Sequence, residues 1–305
     1  RRTQCKNQLK QIGLAINTYE SGRGEFPPGG VAYGGYANGQ GQLPQIPPPF
    51  EFDGEANGTN WAIESLPFLG EQPLYDLYDQ GLENDQNRAV IGAYIPAMDC
   101  PSNNTVVELD TVSQNWAKGS YKAISGVMFP RHSSRRRQFL IWSRPAGGNG
   151  NFTGSWFADW KEHRGVFPVV HPTMKPTRAK QVTDGFSKTY AVGEHYVLPR
   201  RGGLDADDLV RWARTRRHSN KVETNGDPLL RQPDEQLCVD NVDIDDDAET
   251  YCDRILASAH AGDGANWLRL DGSVDFVSSA LDRFVFEAFL SIAGDDEYDR
   301  NRFWQ

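Results

Sequence analysis

The chain has 305 residues, enough for one elaborated domain or two small ones with a sizeable core. A net charge of -9 excludes the broad basic face that general nucleic-acid binding needs, and no apolar run reaches the about 18 residues of a membrane-spanning helix. Four Cys are too few for a disulfide scaffold.

The first segment, residues 1–19, has a helical pattern. Leu9, Ile12, Ile16 and Tyr19 recur at steps of three and four, with Cys5 four residues before Leu9. This makes one apolar stripe, and Lys6, Lys10 and Asn17 fill the rest. The stripe starts in the first turn without an N-cap residue, and Arg1 and Arg2 sit where the helix dipole disfavours cations. The expectation is a helix that continues upstream, with Ser21-Gly22 and Pro27-Pro28 ending it.

Residues 28–58, rich in Gly, Pro and Gln, read as a long loop over the body. Trp61 to Tyr78 suggests two short helices broken around Pro67 to Pro73, and Ala89 to Met98 is a short apolar segment. Strand-like runs follow at 119–129 and 139–143. Residues 182–198 read as strand, turn at Asp184-Gly185, strand. Residues 200–250 are polar and acidic, an insertion with little core. Ala265–Leu270 and Ser273–Val277 read as strands joined by Asp271-Gly272, a strong hairpin signal. Leu281 to Ile292 is helix-like. One helix followed by loops and hairpins implies an α+β fold with an antiparallel sheet.

Several segments in this order resemble one family, the planctomycete domain of unknown function 1559. They are Arg1 to Ala15 (RRTQCKNQLKQIGLA), Phe26-Pro27-Pro28-Gly29, Leu66 to Gln72 (LPFLGEQ) and Cys100-Pro101-Ser102. Asp184 to Thr189 (DGFSKT) with Val192-Gly193-Glu194 follows, and then His260 with Asp271-Gly272 as a closing H-x9-DG-like motif. Ten residues rather than nine separate His260 from Asp271.

The resemblance implies a pilin-like or type II secretion pseudopilin-like architecture. Residues 1–24 would be the C-terminal half of a long helix whose membrane half is absent here, and 25–305 a single body displayed in the cell envelope. The implied role is non-enzymatic: a structural subunit of a secretion or pilus-like assembly, with other pilin-like subunits or the secretion machinery as partners. An alternative is a surface-displayed binding module for glycans or other solutes. If the chain is exported, the natural disulfides are Cys5–Cys100 and Cys238–Cys252. Free buried thiols or a metal site are the other uses, and the absence of C-x-x-C argues against zinc.

Asp243, Asp245 and Asp247 give the D-x-D-x-D opening of a calcium loop. Ala248 stands where the loop needs Gly, and Arg254 where it needs the bidentate Glu. A solvated acidic face is the commoner use of such a run, and a Ca2+ site is the alternative. No other cofactor is implied. His260, Asp271 and Gly272 read as a structural turn motif in which the imidazole hydrogen-bonds across the hairpin. His260, Asp263 and Asp271 could instead be a catalytic or metal group, a use that short motifs seldom bear out. Trp142, Trp156, Trp160 and Trp212 lie in polar surroundings, where an exposed indole could stack on a sugar ring, although burial is the commoner fate of Trp. Arg135–Arg137 and Arg211 to Arg217 read as solvated basic patches.

Overall fold

A computed structural model describes residues 1–32, 58–103, 116–127, 164–170, 174–198, 210–215, 219–224, 226–242 and 251–293. The class is α+β. Helix α1 spans Arg2–Arg23 and buries Cys5, Leu9, Ile12, Gly13, Ala15, Ile16 and Tyr19, the stripe that the 3.6-residue period picks out. Leu9, Ile12 and Ile16 are essentially fully buried, which contributes about 1.5–3 kcal/mol each. The helix does not stop at Ser21-Gly22. It runs on to Gly24, whose φ of 74° lets its N–H close on Glu20 O. Arg1 occupies the N-cap and gives no side-chain cap.

The expected pair of short helices is present as α2 (Trp61–Ser65) and α3 (Gln72–Tyr75), with a 3-10 turn at Leu66–Leu69 between them. Asn60 caps α2 by accepting from the N–H groups of Ala62 and Ile63. The 89–98 segment becomes α4 (Arg88–Ile91) and a 3-10 turn at Pro96–Met98.

Among the described residues, seven strands follow in order as β1 (Gly30–Val31), β2 (Tyr121–Val127), β3 (Val169–Val170), β4 (Tyr190–Glu194), β5 (Lys221–Thr224), β6 (Gly264–Arg269) and β7 (Val274–Ser278). β1 and β3 form a small parallel pair, and the other five make one sheet in the order β5-β2-β4-β6-β7. The pairs β2–β4, β4–β6 and β6–β7 are antiparallel, as expected, while β5 adds to β2 in parallel, so the sheet is mixed.

Two sequence expectations are corrected here. Residues 182–189 do not form a strand: Asp184-Gly185 leads into a 3-10 turn at Phe186–Lys188, and only the second run becomes β4. Gly185 has φ 92°, which drives the chain into that turn. The 200–250 segment is also more than a polar insertion, because it supplies edge strand β5 and the fully buried Trp212, Ala213 and Val222. The run at 139–143 lies outside the described residues.

The sheet is covered on both faces. Along β6, Leu268 packs with the α1 core, while Ala265 and Trp267 pack with Tyr190, Phe286 and Leu290 on the opposite side. Phe286 belongs to the short helix α6 (Arg283–Glu287); α5 (Glu235–Asn241) lies in the preceding loop region. Helix α1 crosses β6 closely at Gly13, where a Cβ would lie 2.7 Å from Leu268 Cδ1. Asn17 donates to Leu270 O at 3.0 Å, fixing the helix lengthwise on the sheet.

Candidate functional site

Among the described residues, a group of buried polar side chains lies beneath the first turn of α1. Cys5, fully buried, is bonded to Cys100, which follows the Pro96–Met98 turn; their Cα atoms are 4.9 Å apart. Gln8, one turn further along α1, donates to Pro96 O and Asp99 O at 2.6 and 3.0 Å and holds the two segments in register.

β4 and the loop before β6 bring Glu194 and His260 to the same spot. Their side chains are 2% and 3% exposed, and His260 Nε2 stands 3.1 Å from Glu194 Oε1. The same nitrogen is 3.9 Å from Cys100 Sγ. The carboxylate is also held by Asn266, whose N donates to Oε2 at 2.6 Å and whose Nδ2 donates to Oε1 at 2.9 Å. His260 is set by its own N–H donating to Ser258 Oγ, which in turn donates to Gly264 O. Tyr121, opposite Glu194 in the sheet, donates its hydroxyl to Gln8 Oε1 at 2.9 Å. Burial first, then the charges of Glu194 and Asp99, hold this phenol well above its usual range.

His260 therefore does not bond across the β6–β7 hairpin, as expected from sequence, but reaches β4. The turn itself is as the dipeptide implies. Gly272 has φ 85°, and Asp271 Oδ1 accepts from Ser273 N at 2.8 Å. Gly264 is needed for close approach, since a Cβ there would lie 2.2 Å from Val277 O. Asp271 is exposed at the turn and is not part of the buried group.

The other candidates separate. Cys238 on α5 is bonded to Cys252 inside a small core with Val197, Leu230 and Ile255, away from the α1 cluster. Trp212 is 1% exposed, and its Nε1 donates to Ala93 O at 2.9 Å, so it is a core residue and not a stacking surface. Trp212→Phe, which removes that donor from a part-buried carbonyl, is expected to cost about 1–2 kcal/mol in denaturant melts; unchanged stability would contradict the placement. Arg211 is buried as well, donating to Trp116 O, and is no solvated patch. Asp243, Asp245, Asp247, Trp142, Trp156, Trp160 and Arg135–Arg137 lie outside the described residues.

A second buried carboxylate, Glu64 on α2, accepts from Thr59 Oγ1 at 2.8 Å and from Gln80 Nε2 and Tyr75 OH at 3.3 Å. Burial outweighs these donors and raises its pKa. A carboxyl group raised on folding stabilises below its unfolded pKa, and that stability is lost as pH rises through the folded value. The melting temperature of the wild type is therefore expected to fall relative to Glu64→Gln as pH climbs above the ordinary carboxylate range. Parallel pH profiles for the two proteins would refute this.

Sequence reading named Glu194 within the Val192-Gly193-Glu194 segment and missed Asn266, which carries no motif. Only strand order β4-β6 makes the two neighbours. No helix among the described residues is long and apolar enough to cross a membrane. The model of a family described as protein of unknown function (DUF1559) matches residues 1–283. No curated protein and no solved structure matches the chain.

Proposed function

The chain belongs to the family of proteins of unknown function DUF1559, and from that premise we propose that it is a non-enzymatic structural subunit of a pilin-like or pseudopilin-like envelope assembly. The observation that carries the reading is α1. It is 22 residues long, it heads the described fold, and it is laid along a mixed sheet with one face wholly buried. Its opposite face leaves Leu14 69% exposed. A helix held this firmly by the body on one side, with an apolar side chain free on the other, suits lateral packing against a second helix.

On this reading the body is periplasmic or extracellular, anchored through a membrane helix of the full-length product, and its partners are further pilin-like subunits or the secretion machinery. The buried Glu194–His260 group supports a structural role, since neither side chain is open to a substrate.

The test uses the full-length gene product. It is expected to be cleaved at a prepilin-type site, to stay in the membrane fraction through about 20 apolar residues, and to cross-link between copies through α1. Leu14→Glu is expected to abolish that cross-link without lowering the melting temperature. A full-length product recovered as an uncleaved soluble monomer would sink the reading.

A further inference from the structure

A disulfide asks nothing ionisable of its surroundings. Yet a carboxylate and an imidazole are buried against Cys5–Cys100, at the cost of desolvating both. The carboxylate is also oriented: Asn266 grips it through two donors, while the Ser258 hydroxyl fixes the backbone of His260. Outer hydrogen bonds on a carboxylate ligand are a usual support of a metal site. A single nitrogen, His260 Nε2, faces both the carboxylate oxygen and the sulfur. One ligand atom from each of Cys5, Cys100, Glu194 and His260 lies within 4.8 Å of the others, and all four residues are buried.

We propose that Cys5, Cys100, Glu194 and His260 form a closed site for a thiolate-preferring divalent metal of the zinc class, occupied in alternation with the Cys5–Cys100 disulfide. Two sulfurs, one imidazole nitrogen and one carboxylate oxygen are a four-ligand set that such a metal takes tetrahedrally. Zinc at about 2.3 Å from sulfur and about 2.0 Å from nitrogen or oxygen spaces its ligand atoms by roughly 3.3–3.8 Å. Nε2 already stands 3.1 Å from Glu194 Oε1 and 3.9 Å from Cys100 Sγ. The two sulfurs must part to about 3.8 Å, and the remaining pairs, all within 4.8 Å, must settle to about 3.5 Å.

The step balances with a dithiol reductant. The dithiol gives two electrons and two protons to the disulfide and becomes a disulfide itself, leaving Cys5 and Cys100 as thiols. The metal then displaces one proton from each thiol, and the imidazole and carboxylate complete the set. In either state the first turn of α1 is joined to the 96–100 segment, by a covalent bond or through the ion. The absence of C-x-x-C does not bear on this site, because its ligands come from four separate parts of the chain.

The test is anaerobic titration with Co2+ of the chain carrying Cys238→Ser and Cys252→Ser, alongside the wild type, after reduction by a phosphine and its removal. One equivalent is expected to give tetrahedral d–d bands with thiolate-to-cobalt charge transfer, displaced by Zn2+ and absent before reduction. His260→Ala and Glu194→Gln are each expected to weaken binding at least about 10-fold. A reduced, folded chain that gives no such spectrum, or one that neither substitution changes, would overturn the proposal. If reduction unfolds the chain, Zn2+ must restore a cooperative thermal transition; failure to do so overturns it equally.

Discussion

Replacing Cys5 and Cys100 together by Ala should lower stability by about 4–5 kcal/mol and the melting temperature by roughly 6–8 °C. The bond closes a sequence separation of 95 residues, while Cys238–Cys252 closes 14. Cross-links restrict the unfolded chain more as the loop grows, so the shorter one is worth about 3 kcal/mol on the same scale. The Cys5–Cys100 bond also joins the two segments that hold the first turn of α1 over Tyr121 and Glu194. Its loss should therefore be felt in the rate at which amides in that turn exchange with solvent, before global unfolding. Thermal melts of the two double variants side by side decide it. An equal or smaller loss for Cys5/Cys100 would mean that the helix is held on the sheet by its apolar stripe alone.

The second large effect is expected at Glu194. Glu194→Ala removes the acceptor from Asn266 N, Asn266 Nδ2 and His260 Nε2 at once, inside a buried site. Breaking a buried network from one side costs about 3–5 kcal/mol. Glu194→Gln keeps an oxygen for Asn266 N and should cost less, about 1–3 kcal/mol. A double-mutant cycle of Glu194→Gln with His260→Ala is expected to show coupling of about 1–3 kcal/mol. Additivity of the two would show that the imidazole and the carboxylate do not share energy, whatever their distance.

What could be read from the sequence followed from period and turn chemistry. The stripe of α1 was legible because Leu9, Ile12, Ile16 and Tyr19 keep helical spacing, and the β6–β7 hairpin because Asp-Gly supplies the φ > 0 position its turn needs. The end of α1 was misplaced because Ser21-Gly22 is held in helical conformation, and the stop comes only at Gly24, which takes the left-handed cap.

Strand β5 was hidden for a different reason. Its sequence, Lys221-Val222-Glu223-Thr224, alternates charge with apolar residues as an exposed edge would, yet all four residues are buried. Lys221 Nζ donates to the Thr215 carbonyl, so tertiary hydrogen bonding makes the interior tolerable to a residue that patterning assigns to water. Trp212 misled in the same way. Its polar neighbours suggested exposure, but Ala93 O satisfies its one donor and permits full burial. The Cys5, Cys100, Glu194 and His260 group could be named residue by residue but not assembled, because strand order, not spacing, brings the four together.

The position of Cys5 within the first turn of α1 has a mechanical consequence. If tension is applied to the chain at Arg1, only Arg1 to Gln4 can peel away before a covalent bond takes the load. From Cys100 the strain passes by way of Ser120, bonded to Met98 and Asp99, into the strand that begins at Tyr121. The load would then enter the body at the start of β2, and the helix would not be unzipped from its end.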